Sequence, residues 1–530
     1  MNYHINTKYT KSISSCQQHC FIVVSLFFML LYHNVNAQKI IAGPIIGAVS
    51  DSSAKLVFMT DKPIHATIKC ISTADTLIQT HRTSTDDVYY VNACQINSKL
   101  KSNTNYEIQI NITGNDSIYK SSFKTFPSTK ETSFFSFTLG SCTEQHYNDS
   151  IFFEMKKHKP LFFLQIGDWL YANNFNERKF YYAESIAHQK ELYEKRYEMP
   201  NLKNMLASTP IDFMFDDEDA VFDDFSKNTY THVQQVANAT QISEIAYPDS
   251  LRKNVIEGYH TFFPYYNHLP NQAYHSFVCG NAEFFVVDTR STRDANTASF
   301  VKKNKHYAYK VPNQHLLLDT LQWNWLLTSL KKSQAQWKFI VSGVTFNKSY
   351  KDVFDIALLK PAQNKKLANG MTGLSIAAGL STMWFAFPET QIALLNFCHD
   401  NQIKNVIVLS GDAHTAAIDD GANAGFPELM AGGLAQKNSR LAAIIKNQLH
   451  LNLWNQGGQG IGNNNFNDAF GKVDINGNQS VVLSCIDKYG KTICSYEVKD
   501  GFIPKKYTLK PMLSINKIRA FKHALRIKLK

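Results

Sequence analysis

Eight residues of kinds that bind metal or move protons fall directly behind apolar runs. Cys142 follows Phe134 to Leu139, and Asp168 and Tyr171 follow Leu161 to Ile166. Asp216, Asp217 and Asp219 follow Ile211 to Phe215, and Asp412 and His414 follow Val406 to Leu409. Each alone is ordinary, because a Gly-Asp behind a strand is commonly a turn or a helix cap. Together they bring carboxylates, a thiol, a phenol and an imidazole to four strand ends. Sites in open α/β sheets gather beyond the carboxyl ends of strands. Carboxylates converging in one cleft repel unless cations offset them. The mixture suits one softer metal beside harder, oxygen-bound cations. Metal-assisted chemistry is the expectation, with a set of purely structural turns as the alternative. No Gly-x-Ser-x-Gly surrounds Ser141 or occurs elsewhere, so no serine nucleophile elbow is announced.

The runs that must position these groups are long and predominantly apolar, as is Ala282 to Val287 ahead of Asp288-Thr289-Arg290. Strands of that kind are buried on both faces, as in a sheet covered by helices. Trp323, Leu326, Leu327 and Leu330 have helical spacing, which predicts an amphipathic helix whose aromatic members are core. Residues 38–129 read differently. Ala54 to Met59, Ala66 to Ile71 and Tyr106 to Ile112 are short strands, the last ending at Gly114-Asn115. With Leu100 and the closing Phe123-Lys124-Thr125-Phe126-Pro127, this stretch resembles a fibronectin-type-III-like sandwich with Tyr106 as its corner residue.

Taken in order, Gly140-Ser141-Cys142, Gly167-Asp168-Trp169-Leu170-Tyr171, Asp216-Asp217-Glu218-Asp219 and Gly411-Asp412-Ala413-His414 resemble the PhoD-like alkaline phosphatase/phosphodiesterase family of calcineurin-like metallophosphoesterases. Asp288-Thr289-Arg290 with Arg293, Gln322-Trp323, Trp337-Lys338-Phe339-Ile340 and Trp384 extend the resemblance over roughly residues 40–500. It implies an α/β fold: a two-sheet metallophosphatase sandwich flanked by helices and preceded by the small β-sandwich. It also implies a cluster of Fe³⁺ with one or two Ca²⁺. Cys142 and Tyr171 would bind the iron, Asp168 would bridge, and Asp217, Asp412 and His414 would complete the shells. The implied activity is hydrolysis of a small or polymeric phosphoester, with a metal-bound hydroxide attacking in line. Arg290 and Arg293 are read either as holding phosphate oxygens or as structural ion pairs.

One motif departs from the family pattern. Where that pattern has Trp-Asp-Asp-His-Asp/Glu and a following Asn, this chain has Phe215-Asp216-Asp217-Glu218-Asp219 and then Asp223-Asp224. Glu218 occupies the position of the leaving-group acid, and Asp223 stands as a metal ligand where Asn is expected. Glu218 can donate a proton only if its pKa is raised by burial or neighbouring carboxylates. A degenerate scaffold that binds metal or a surface ligand without hydrolysis is the competing reading.

The 530 residues carry a formal charge of +11, and 44% are hydrophobic, enough for a large core. Two of those charges lie in residues 1–37 and nine in residues 501–530, so the body is neutral, which argues against a basic nucleic-acid-binding domain. Lys8 and Lys11, the apolar run Phe21 to Tyr32 and Val35-Asn36-Ala37 form a signal-peptide pattern, predicting export to the periplasm, cell surface or medium. The expected division is a signal peptide over 1–37, a β-sandwich over 38–129, a metallophosphatase domain over 130–505 and a basic tail over 506–530. Ile515, Ile518, Phe521, Leu525 and Leu529 fall at helical spacing in that tail. It is read as weak membrane contact, as docking on the body, or as a frayed end. Cys485 and Cys494 flank a hairpin-like turn in which a disulfide is plausible, and Cys70 and Cys94 form a second possible pair.

Overall fold

A computed structural model describes residues 38–508 except 85–86, 97–99, 130, 145–147, 172–179, 221–223, 237–238, 267–270, 311–313 and 367–370. The signal-peptide pattern and most of the tail, 509–530, therefore lie outside the described residues. No helix among those described is long and apolar enough to cross a membrane.

The fold is mixed α/β, built on two six-stranded sheets. The first runs Ile211–Met214, Phe163–Ile166, Phe134–Gly140, Ala469–Asn476, Ser480–Asp487, Thr492–Lys499. Its first three strands are parallel and the rest antiparallel. The second runs His275–Cys279, Ala282–Val287, Trp337–Ser342, Val406–Ser410, Glu428–Ala431, Ala416–Asp419, with a parallel centre and antiparallel edges. Phe163–Ile166, Ile211–Met214, Trp337–Ser342 and Val406–Ser410 are buried at every position, which is why they are mostly apolar without alternation. Phe137 of the first sheet meets Phe284 and Phe339 of the second edge-on, with ring centroids 5.2 and 5.7 Å apart. Helices Ser150–Lys157, Ile186–Tyr197 and Asp249–Phe262 share an apolar cluster with the first sheet. Thr320–Lys332, Tyr350–Ala357 and Pro388–Asp400 do so with the second.

The helix expected around Trp323 is Thr320–Lys332, begun by Asp319, whose carboxylate accepts from Gln322 N at 2.8 Å. Leu326 and Leu330 are fully buried and Trp323 and Leu327 partly so. Thr229–Val236 and Ala239–Ala246 form an antiparallel pair that the sequence reading did not foresee.

Ahead of the two large sheets stand a three-stranded sheet, Ile40–Gly47, Ala54–Thr60, Val91–Ile96, and a four-stranded one, Thr76–Arg82, His65–Ile71, Asn105–Ile112, Ile118–Lys124. Tyr106 OH accepts from Lys101 N at 2.8 Å. This unit is joined closely to the body: Ser122 N donates to Ala207 O at 2.8 Å and Tyr266 OH to Val49 O at 2.8 Å. At the other end the packed chain runs past Lys505. Asn396 exchanges two hydrogen bonds with the Tyr507 backbone, and Lys506 pairs with Asp400.

All seven described cysteines are free thiols. Cys485 and Cys494 do stand opposite each other across the predicted hairpin, closed by Gly490 N to Asp487 O at 2.9 Å. Cys70 and Cys94 lie on strands of different sheets, both buried, with burial pushing each thiol up to about 12.

Candidate metal centre

Four strand ends meet at one place, and the backbone there is bent to bring side chains together. Cys142, Asp168, Tyr171, Asp412 and His414 all have positive φ, between 47° and 64°. Non-glycine residues in that region cost of order 1–3 kcal/mol each and persist where surrounding bonds hold them. Those bonds are present. Cys142 N donates to Gly167 O at 3.2 Å, Thr143 N to Asp168 O at 2.9 Å, and Gly411 N to Gly343 O at 3.0 Å. Asp412 N donates to Ser141 Oγ at 3.2 Å. Packing adds to this: a Cβ on Gly343 would lie 2.6 Å from Asp216 Cγ, and one on Gly167 2.5 Å from Asp216 Cβ.

Two groups of ligand atoms result, each lying within 4.8 Å of one another: Cys142, Asp168 and His414, and Asp168, Asp216, Asp217 and Asp412. Asp168 belongs to both. Cys142 Sγ lies 3.3 Å from Asp168 Oδ2, and Tyr171 OH 3.2 Å from His414 Nε2. The first group joins a thiol and an imidazole to a carboxylate beside a phenol; the second is carboxylate throughout. The two chemistries suit a softer and a harder cation side by side.

The electrostatics agree. Burial pushes the Cys142 thiol up, but the neighbouring His414 outweighs it and the thiol falls below its usual range. His414, disfavoured as a cation by burial, rises to about 9 beside Cys142. Burial drives Asp168, Asp216 and Asp412 upward, and like charges in the cluster push the same way. Tyr171 is driven well up by burial and by Cys142, so its phenol stays neutral unless a cation draws the proton off. Bound cations would relieve the costs borne by the carboxylates and the phenol.

The remaining sequence-identified residues divide. Arg290 is fully buried and directs its guanidinium to Asp216, to Asp217 at 3.1 Å and to Asp412 at 3.0 Å, the ion-pair arrangement. Arg293, also fully buried, donates to Asp224 O at 3.0 Å and Thr382 O at 3.4 Å, tying two loops together. Glu218 is half-buried, its N–H donating to Asp217 Oδ1 at 3.1 Å. Asp223 lies outside the described residues, although the adjoining Asp224 N donates to Asp217 Oδ2 at 2.8 Å.

Three supporting residues escaped the sequence reading. Gln436, on a loop that carries no motif, lies near enough to the Tyr171 phenol to offset part of the upward push of burial. Gln322, quoted only as part of a motif, closes a reciprocal pair with the Asp288 backbone at 2.8 and 3.0 Å and so holds the turn that bears Arg290. Glu428 is the third. Its Oε1 accepts from Ser410 Oγ at 2.6 Å, Thr345 Oγ1 at 2.7 Å and Phe346 N at 2.9 Å, joining the roots of two site loops.

Burial pushes the Glu428 carboxyl up to about 7 against those three donors. The folded state therefore keeps a proton that the unfolded chain releases above its ordinary 4.5. The associated stability is complete below that value and is lost as pH rises to about 7, at most roughly 3 kcal/mol at about 1.4 kcal/mol per unit. Glu428→Gln should accordingly gain on wild type as pH rises through this window. Thermal unfolding in chelator at about pH 5 and about pH 8 reads it, and parallel pH dependences would refute it.

The model of the PhoD-like phosphatase family matches residues 137–482. Alkaline phosphatase D of Bacillus subtilis (strain 168) is 26% identical over 305 residues, 53% of this chain and 46% of that protein, so the match spans about half of that relative's length. Among solved structures, one of PhoD superposes with a TM-score of 0.64 at 15% identity, covering 94% of this chain and 99% of that one. A purple acid phosphatase from yellow lupin (Lupinus luteus) seeds superposes with a TM-score of 0.55 at 9% identity, covering 90% and 78%. At these identities the two structures speak for the fold alone.

Proposed function

We propose that this chain, which belongs to the PhoD-like phosphatase family, is an exported, metal-dependent phosphoester hydrolase of the alkaline phosphatase/phosphodiesterase type. The observation that carries the reading is the pair of ligand groups sharing Asp168. The donor set fits the implied cations: Cys142, His414 and Tyr171 with Asp168 suit Fe³⁺, and Asp217 and Asp412 with Asp168 suit Ca²⁺. Cations held there would clamp a phosphate ester and lower the pKa of a coordinated water. The chain's own contribution is placement. The left-handed turns aim Cys142, Asp168 and His414 at one point, and Arg290 fixes Asp217 and Asp412 against each other. Export rests on the pattern in residues 1–37. The three-plus-four strand order and the Tyr106 corner favour a fibronectin-type-III-like module at the N-terminus.

We assign to Glu218 the protonation of a leaving oxygen, because it stands where relatives are expected to carry His. As a carboxylate it repels a phosphate dianion and is a poor acid at neutral pH. The enzyme should therefore favour diesters and esters with good leaving groups over simple alkyl monoesters. A series of aryl and alkyl phosphoesters of rising leaving-group pKa, assayed with Fe³⁺ and Ca²⁺ present and again after chelation, tests both levels. A steep fall of kcat with leaving-group pKa supports this preference and marks Glu218 as a poor acid, whereas a flat dependence removes it. Protein that retains iron but turns over nothing in the series would instead establish the non-catalytic, metal-binding reading.

A further inference from the structure

Asp219 closes the same acidic run as Asp216 and Asp217 but belongs to neither ligand group. It is buried, and its carboxylate is surrounded by main-chain donors. Oδ1 accepts from Trp169 N at 2.7 Å and Leu170 N at 2.8 Å. Oδ2 accepts from Asp168 N at 3.0 Å and from Asp216 N at 3.0 Å. Three successive N–H groups, 168 to 170, thus converge on one carboxylate, with left-handed Asp168 at one end of the turn and left-handed Tyr171 just beyond it. Such a run of converging amides is a nest, a shape that ordinarily captures an anion. Here the anion is supplied by the chain itself, from the turn that also carries Asp217.

We propose that Asp219 is the positioning residue of the centre: its carboxylate fills the 168–170 amide nest and locks the turn bearing Asp168 and Tyr171 to the turn bearing Asp216 and Asp217. The inference deepens the metal-centre reading and rests on it for its consequence, though not for its geometry. With all four donors directed at it, Asp219 is not a ligand despite adjoining two candidates. Its work is to keep the shared carboxylate and the phenol at a fixed separation from the acidic turn. Asparagine at this position would turn an amide NH₂ toward two N–H groups, leaving buried donors unpaired.

Amide hydrogen exchange on metal-free full-length protein tests the geometry without reference to activity. In wild type the amides of residues 168, 169 and 170 should be among the slowest of any loop. Exchange at the rate of exposed loop amides would overturn the proposal even if no variant folds. In Asp219→Asn those three amides should exchange at least tenfold faster, with Asp219→Glu intermediate; equal rates in Asp219→Asn and wild type also overturn it. The functional consequence is read separately. Iron release to chelator from Asp219→Asn should correspond to an affinity 10–100-fold weaker, as for supporting partners of metal ligands generally. Its visible absorption band should shift, and kcat should fall while KM stays within about threefold, because the change displaces ligands and not substrate contacts. Protected amides in a wild type that binds no iron would refute the metal reading and leave the clamp standing. Exchange-sensitive amides with unchanged iron release would refute the positioning role.

Discussion

Asp168→Asn is expected to lower turnover on an activated phosphodiester by on the order of 10³-fold, about 4 kcal/mol at 1.36 kcal/mol per decade. It should do so without destabilising the metal-free protein. Asp168 alone belongs to both ligand groups, so its loss disables both positions at once. Its carboxyl is held above the ordinary range first by burial, then by Cys142, Asp217, Asp216 and Asp412. Asparagine removes that charge while keeping an oxygen for Glu218 N, which approaches Asp168 Oδ1 at 3.3 Å. The metal-free variant should therefore melt at or above the wild-type temperature while its iron content and kcat collapse. Melting curves in chelator, elemental analysis and steady-state kinetics on the same preparations decide the matter. Retained activity would show that the shared carboxylate is not the bridge, and a melting point several degrees lower would make it a structural residue instead.

Why the strand ends were legible and their wiring was not follows from what sequence encodes. A parallel strand buried on both faces is apolar at most positions and shows no alternation, so Phe163–Ile166 and Val406–Ser410 announce themselves, and the turn past each lies at the sheet edge. The corner at Tyr106 is similarly local, its hydroxyl reaching back only to Lys101 N. Partner choice is not local. Nothing in Asp216-Asp217-Glu218-Asp219 distinguishes the residue that turns to the cluster from the one that turns to amides some fifty residues earlier. Arg290 reads equally well as a phosphate clamp or an ion pair until Asp216, 74 residues before it, and Asp412, 122 residues after it, are seen on either side. Cys70 and Cys94 are close in the chain, yet the strands that carry them belong to two different sheets.

Arg290→Met should cost the metal-free protein about 3–5 kcal/mol, the usual loss when one partner of a buried charge network is removed. With the guanidinium gone, Asp216, Asp217 and Asp412 face one another in a buried site, and three carboxylates must take up protons or move apart. The same carboxylates are those best suited to Ca²⁺, so added cation can take over part of the neutralisation. The stability gap between variant and wild type should therefore narrow as Ca²⁺ is titrated in. Arg290→Lys should fall between them, because an ammonium supplies the charge but not the planar fork that spans two carboxylates. Urea unfolding of the three proteins across a Ca²⁺ series measures this directly. A phosphate clamp behaves otherwise: its removal raises KM and leaves the unfolding midpoint in place. A wild-type midpoint for Arg290→Met together with a raised KM would assign the guanidinium to substrate. A lowered midpoint that Ca²⁺ restores would make Arg290 a built-in cation, one that keeps the carboxylate cluster assembled before metal arrives.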